Sequence, residues 1–285
     1  AIPTDAGDLV VHHGELEAAG GLAERTRPER GPLRRGGDGH GRHAARGRRY
    51  RAAVRQLLPT AGPVDPIAAH AAAARPAPAG RPWVLVNMVA SIDGAATVDG
   101  LSGGLGGPAD RVVFSAIRAV ADVILVAAGT VRAEGYGPPR PSAERRAQRQ
   151  ARGQGAVPRL AVVTRSLDLD PTAPWIADAP EPPLVYTAAS APASRRALLG
   201  PVAELVDAGE HEVDPAAVLA DLHRRGVTTV LAEGGPSWNG QLAAAGLIDE
   251  INLTIGPLLV GGDAARIVHG PDPDAPETMG LAHLW

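Results

Sequence analysis

Residues 227–245 read VTTVLAEGGPSWNGQLAAA, and the three parts of this stretch decide the fold. VTTVLA is mostly β-branched and carries no charge, without the polar alternation of a half-exposed strand, so it reads as a strand buried on both faces. Glu233-Gly234-Gly235-Pro236-Ser237-Trp238-Asn239 turns the chain, and Ser237 is placed to cap a helix running toward Ala245. A buried strand that leads through glycines into a helix is half of a β–α–β unit, and such units build parallel sheets. The N–H groups at the helix start attract an anion, and glycines let a phosphate approach the backbone. A plain strand-to-helix turn with a serine cap accounts for the same residues. A hydrolase elbow does not, because the pattern lacks the final glycine of G-x-S-x-G.

Outward from this unit the alternation repeats. Strands are expected at Trp83–Ala90, Val123–Ala128, Leu160–Thr164, Leu184–Thr187, Ala203–Val206 and Glu250–Ile255, with helices at Pro66–Arg75, Pro108–Ala121 and from the Asp214-Pro215 cap to before Gly226. The fold class is therefore α/β, one domain over residues 83–285 with a mostly parallel central sheet and helices on both faces. Residues 56–82 form a lead-in helix and linker. Tyr136 to Pro158, rich in Pro, Arg and Gln, reads as a long surface excursion, either a lid near the substrate or, the preferred reading, a mobile loop. Residues 1–55 read as a disordered Arg/Gly-rich extension, having almost no apolar periodicity to offset chain entropy.

Ligands of such sheets bind at the carboxyl ends of the strands, so the loops there carry the candidate site. Gly129 to Gly135 offers Thr130, Arg132 and Glu134, the hydroxyl, guanidinium and carboxylate a dinucleotide needs; Thr164-Arg165-Ser166 suits a ribose 2′-phosphate, which favours NADPH over NADH. Each alone also fits an ordinary solvated turn. Glu233 and Asp93 are acids in apolar settings on the ligand edge and are the catalytic candidates, although Asp93 precedes Gly94 and suits a turn as well. Gly104, Gly106 and Ala109 match G-x-G-x-x-A, but about thirteen residues after the preceding strand, so they read as a flexible loop over the site rather than a Rossmann turn.

Composition removes several chemistries. The 285 residues include no cysteine and no lysine, which excludes thiolate nucleophiles, disulfides, Schiff-base lysines and a Walker lysine. Residues 1–55 hold 11 arginines against 7 acidic residues, and the other 17 arginines face 24 acidic ones, so the larger part is acidic and not an electrostatic nucleic-acid binder. The close histidine pairs, His12-His13 and His40 with His43, lie in the extension, and no metal site is expected. No apolar run approaches the ~20 residues of a membrane span. A soluble, cytoplasmic protein is the expectation.

Ala90-Ser91-Ile92-Asp93-Gly94, RAVADVILVAAGTVRAEGYG from Arg118 and AEGGPSWNGQLAAAGLIDEINLTIGPLLVGG from Ala232 together resemble the riboflavin-biosynthesis pyrimidine reductases, the dihydrofolate reductase-like C-terminal half of the bifunctional deaminase/reductase. The resemblance spans roughly Arg81 to Gly262; the zinc-deaminase signature is absent. It implies NADPH-dependent reduction of a 5-amino-6-ribosylaminopyrimidine 5′-phosphate at the ribosyl C1′, by a homodimer. It further implies cofactor contacts at Ala90, Thr130, Glu134, Ser166 and Gly234 to Asn239, and substrate contacts at Ser102, Arg118 and Glu233. Arg118 suits the substrate phosphate, and Glu233 suits the ribose end or a proton relay. Members that make riboflavin commonly carry Lys or Arg directly after S-x-D-G, where this chain has Ala95; a pterin on the same fold is the alternative substrate, and a non-enzymatic nucleotide- or RNA-associated role for the arginine-rich arm is a third reading. The family pattern also runs a strand or two past Trp285, so a sheet short of an edge is expected.

Overall fold

The structure, a computed structural model, describes residues 8–13, 54–270 and 276–285. Among them the strands are β1 (Asp8–His13), β2 (Arg55–Gln56), β3 (Gly62–Pro63), β4 (Trp83–Ser91), β5 (Val123–Ala127), β6 (Arg159–Val163), β7 (Leu184–Thr187), β8 (Glu204–Asp207), β9 (Thr229–Ala232), β10 (Glu250–Gly256) and β11 (Gly280–Leu284). The helices are α1 (Pro66–Ala72), α2 (Pro108–Val120), α3 (Ala128–Ala133), α4 (Ala143–Ala151), α5 (Pro174–Ala177), α6 (Ala193–Leu199), α7 (Pro215–Arg224) and α8 (Pro236–Ala244). Every strand and helix expected from the sequence is present, with boundaries that differ by a few residues at most.

Nine of the strands form one sheet in the order β11-β1-β10-β4-β9-β5-β6-β7-β8, every pair parallel; β2 and β3 make a separate short antiparallel ribbon. The apolar strand runs are explained by burial on two faces. Along β4, Leu85 packs into a layer with Ile117, Ile124 and Leu231, whereas Val84 and Val86 pack on the other face with Leu219, Val230 and Leu242. Side chains alternate across a strand, so both halves of each run are buried. Leu85, Ile124 and Leu231 are wholly buried, and each such side chain contributes about 1.5–3 kcal/mol relative to exposure. Asp214 caps α7 as expected, accepting from the Ala216 N–H at 2.9 Å.

The chain order across the sheet locates the ligand crevice. From β4 the chain crosses by α2 to β5, moves outward through β6, β7 and β8, returns as β9 between β4 and β5, and continues as β10 on the other side of β4 before β11 at the far edge. The order reverses around β4, β9 and β5, and loops diverge from the carboxyl ends of those strands at such a reversal.

Four expectations need correction. Asp8–His13, within the extension read as disordered, is a strand between β10 and β11; residues 14–53, with most of the arginine-rich stretch, lie outside the described residues. Consequently β10, the last strand expected, is an interior strand. The excursion 136–158 is not a free loop: it contains α4, whose Arg149 is wholly buried and donates to Gly155 O (2.8 Å), Ala121 O (2.6 Å) and Ala119 O (3.2 Å). Arg145 of the same helix donates to Ser115 Oγ at 2.6 Å and to the Ser115 carbonyl. Finally, Gly235 rather than Ser237 stands at the start of α8, with Pro236 in its first turn and no side-chain cap. Proline fixes φ near −65° and has no N–H to satisfy, so it opens the helix without a serine cap.

Candidate functional site

The crevice is a cavity of about 320 Å³ lined by the ends of β4 (Asn87, Met88, Val89), the segment after it (Ala96, Thr97), the loop Ser102–Gly106, the inner face of α2 (Asp110, Phe114, Arg118), Thr130 and Glu134 after β5, Tyr136, and Glu233, Gly235 and Pro236 after β9. The glycine-rich segment preceding α2 is thus a wall of the site, as its sequence context suggested.

At its centre stands Glu233. β9 is hydrogen-bonded between β4 and β5, and the Glu233 N–H donates to Leu125 O at 2.9 Å, so the ladder itself aims this residue at the crevice. Its side chain is almost wholly buried and is held by three donors: Arg118 Nε to Oε1 (2.7 Å), Arg118 Nη2 to Oε2 (2.6 Å) and Tyr136 Oη to Oε2 (2.6 Å). Arg118 lies over the Phe114 ring, 4.3 Å from its centroid, and 5.7 Å from that of Tyr136. A planar fork against a carboxylate and flanked by rings is the geometry guanidinium favours. Burial works against the Arg118 charge, but the facing carboxylate outweighs it and holds the guanidinium above its ordinary pKa. Burial, then the Glu233 charge, push the Tyr136 phenol well above 10, so it stays protonated.

Other expected residues are placed as follows. Glu134 accepts from the Ser102 N–H at 2.7 Å and ties the loop before α2 to the end of α3. Gly234 has φ +82°, a left-handed conformation that glycine supplies without cost, and a Cβ there would meet Met88 Sδ at 3.3 Å. A Cβ on Gly235 would lie 2.8 Å from Thr130 Oγ1. The turn therefore presents bare backbone to the cavity beside the start of the nine-residue α8. Thr164 and Ser166 accept from the Leu167 and Asp168 N–H groups, and Arg165 is an exposed residue paired with Glu212 at 2.5 Å. These three lie at the end of β6, two strands from β9.

Three expected residues sit elsewhere or do other work. Ala90 is buried near the end of β4, beside the cavity wall rather than in it, and Asn239 is wholly buried with Nδ2 donating to Ile267 O at 2.9 Å. Asp93 is a turn residue: its carboxylate accepts from Ser91 Oγ (2.5 Å), Val260 N–H (3.1 Å) and Gly261 N–H (2.7 Å). Those bonds, the Ser91 hydroxyl foremost, lower its pKa to about 2. It does not line the cavity, whereas Glu233 does, together with Glu134 and Asp110. Tyr136, Phe114 and Asp110 were not singled out from the sequence; their common feature, an apolar helix face broken by Asp110 and an aromatic beside glycines, has no meaning until α2 is set against β9.

Residues 82–285 match the model of the RibD C-terminal domain. The chain belongs to that family. Relatives in the family include the 2,5-diamino-6-ribosylamino-4(3H)-pyrimidinone 5′-phosphate reductases of Archaeoglobus fulgidus, 33% identical over 192 residues (67% of this chain, 87% of the relative), and Methanothermobacter thermautotrophicus, 32% identical over 195 residues (68% and 87%). The crystal structure of a pyrimidine reductase-like protein from Corynebacterium diphtheriae superposes with a TM-score of 0.58 at 30% identity, covering 63% of this chain and 76% of that one. The dihydrofolate reductase-like α/β fold expected from the motifs is thereby established for this RibD C-terminal domain chain.

Proposed function

We propose that the protein is an NADPH-dependent reductase that converts the ribosyl group of a 6-ribosylaminopyrimidine 5′-phosphate to ribityl, a step of riboflavin biosynthesis. The observation that carries this reading is one crevice joining a bare-backbone dinucleotide cradle to a buried Arg–Glu–Tyr cluster. The relatives named above reduce a compound of this class, and the chain covers 87% of each.

The residues present fit the cofactor. β9, β5 and β6 are neighbours, and strands lie about 4.8 Å apart, so Gly234 to Ser237, Thr130 with Glu134, and Thr164-Arg165-Ser166 form a line across the strand ends. An extended dinucleotide suits that line, with its pyrophosphate at the bare turn and helix start, and a 2′-phosphate at Arg165. When bound, NADPH supplies the hydride.

The chain's own groups do the rest. Reduction adds hydride to C1′, breaks the C1′–O4′ bond and puts a proton on O4′. Glu233 and Tyr136 form the buried relay that holds or passes that proton, and Arg118, with Nε and Nη2 committed to Glu233, turns Nη1 to a substrate phosphate oxygen. Ser102 closes the same side from the loop before α2.

The test is NADPH oxidation by the full chain with the ribosylaminopyrimidine 5′-phosphate and, separately, dihydrofolate. Faster turnover of the pyrimidine is the expected result. Preference for dihydrofolate makes the protein a pterin reductase instead, and absence of turnover with both removes the reading. Residues 1–55 are retained because β1 is part of the sheet.

A further inference from the structure

Two turns face each other at the strand ends beyond the crevice, and each is anchored more firmly than its exposed side chains suggest. The first follows β6 and is pinned by Leu167, which is wholly buried although its φ is +54°. A left-handed conformation is costly for a residue that carries a Cβ, and such strain persists only where the surroundings impose it, typically at ligand clamps. Thr164 Oγ1 accepts the Leu167 N–H at 3.1 Å, which fixes the turn from its other end. Arg165, between these anchors, points outward and is two-thirds exposed (66%).

The second turn follows β8 and doubles back over the end of β7. The Ala189 and Ser190 N–H groups donate to the Gly209 and Glu210 carbonyls at 2.8 and 2.9 Å, and the Asp214 N–H donates to Ala208 O at 2.7 Å. Gly209 has φ +141°, and a Cβ there would collide with Glu212 O, so the loop closes tightly on the residue it presents. Glu212 thereby meets Arg165 across the end of β7, Nη1 to Oε1 at 2.5 Å. Neither residue has another ion-pair partner among the described residues.

An exposed pair contributes little to stability, yet its two groups have opposite preferences for a ribose. A guanidinium in such a place receives a 2′-phosphate, whereas a carboxylate accepts from the free 2′-hydroxyl of an unphosphorylated ribose. This chain has both, bonded to each other. Building on the cofactor placement proposed above, we propose that Glu212 sets the choice of dinucleotide: it competes with a 2′-phosphate for Arg165, and it accepts from the 2′-hydroxyl when that phosphate is absent. A phosphomonoester carries nearly two negative charges at pH 7, so NADPH takes Arg165 by displacing Glu212. NADH leaves the pair intact and adds a donor to it. Arg165 therefore favours NADPH, Glu212 offsets part of that preference, and the subsite accepts both dinucleotides.

The experiment measures calorimetric Kd values of NADPH and NADH for the full wild-type chain, Glu212→Gln, Arg165→Ala and the double variant. Wild type is expected to favour NADPH by less than about tenfold. Glu212→Gln should tighten NADPH about threefold to fivefold, the range of an exposed pair, and weaken NADH by a similar factor. Arg165→Ala should weaken NADPH at least about tenfold and NADH little. Adding Glu212→Gln to Arg165→Ala should then improve NADPH by no more than about twofold, because no guanidinium is left to release. A wild-type preference above about a hundredfold, a Kd ratio unmoved by Glu212→Gln or shifted toward NADH, or the full gain persisting without Arg165 overturns the assignment. No pyrimidine is needed for these measurements. A ratio that responds to Glu212→Gln without any turnover supports the subsite while removing the reductase reading; turnover of the pyrimidine with an unresponsive ratio does the reverse, and binding of neither dinucleotide removes both.

Discussion

Tyr136→Phe removes one oxygen from the site and little else. The ring remains to pack near Arg118, and the bond lost is a single 2.6 Å donation to a buried carboxylate. A hydrogen bond to a charged group is worth about 1.5–3 kcal/mol. Glu233 keeps both Arg118 bonds, so no buried donor is orphaned, and the folded state should lose only about 1 kcal/mol in urea unfolding. If Tyr136 holds or passes the proton during reduction, the remainder appears in the rate: kcat should fall roughly tenfold to a hundredfold, each 1.4 kcal/mol being a factor of ten. The KM for NADPH should stay within about twofold, because the phenol bonds the Glu233 side chain and not the backbone of the Gly234–Gly235 turn. Steady-state NADPH oxidation at saturating substrate is the assay. An unchanged kcat, or a loss carried wholly by the NADPH KM, would refute a role for the phenol in the proton relay and leave Tyr136 a packing residue. The raised phenol pKa adds a check of sign. The folded state holds this proton more tightly than the unfolded chain, so its contribution is full below pH 10 and is lost as pH rises beyond it. Tyr136→Phe should therefore soften alkaline unfolding above pH 10 and leave stability at pH 7 nearly pH-independent in this respect.

Other perturbations separate the remaining parts. Arg149→Met strips the donors from Gly155 O and Ala121 O at the end of α2; even with a buried charge removed, about 2–4 kcal/mol of stability should be lost in urea unfolding, and a stabilised variant contradicts the clamp. Arg165→Ala should raise the KM for NADPH far more than that for NADH, whereas equal changes remove the 2′-phosphate assignment. Asp93→Ala should speed hydrogen exchange at Val260 and Gly261, whose N–H groups it accepts, with kcat within about twofold of wild type; a collapse of kcat would return Asp93 to the catalytic machinery.

Local patterns revealed what local physics dictates. Apolar runs of four to eight residues between helices announced the sheet, and glycines after VTTVLA announced a turn open to a ligand, because burial on two faces and left-handed backbone are visible one residue at a time. What escaped depends on partners distant in the chain. Asp8–His13 looked like part of a polar arm, yet β10 supplies an edge for it to pair with. The 136–158 segment looked solvated because arginine usually is; of its five arginines, 149 and 152 instead donate to carbonyls at the end of α2, which a helix leaves without intrahelical partners, and 145 reaches Ser115 within the helix. Nothing in an arginine's own neighbourhood says whether it will meet water or a helix terminus.

That clamp connects fold to site. The segment begins with Tyr136 on Glu233 and returns through Arg149 and Arg152 to the Ala119 and Ala121 carbonyls, one and three residues beyond Arg118. Both ends of the excursion therefore converge on the same ion pair, one through the carboxylate and the other through the helix that carries the guanidinium. A buried pair tolerates misplacement poorly, since attraction offsets desolvation only at good geometry. The excursion thus fixes α2 at its Arg118 end, while Thr254 of β10 fixes the Asp110 end. Held at both ends, α2 keeps Asp110, Phe114 and Arg118 at fixed spacing along one wall of the crevice.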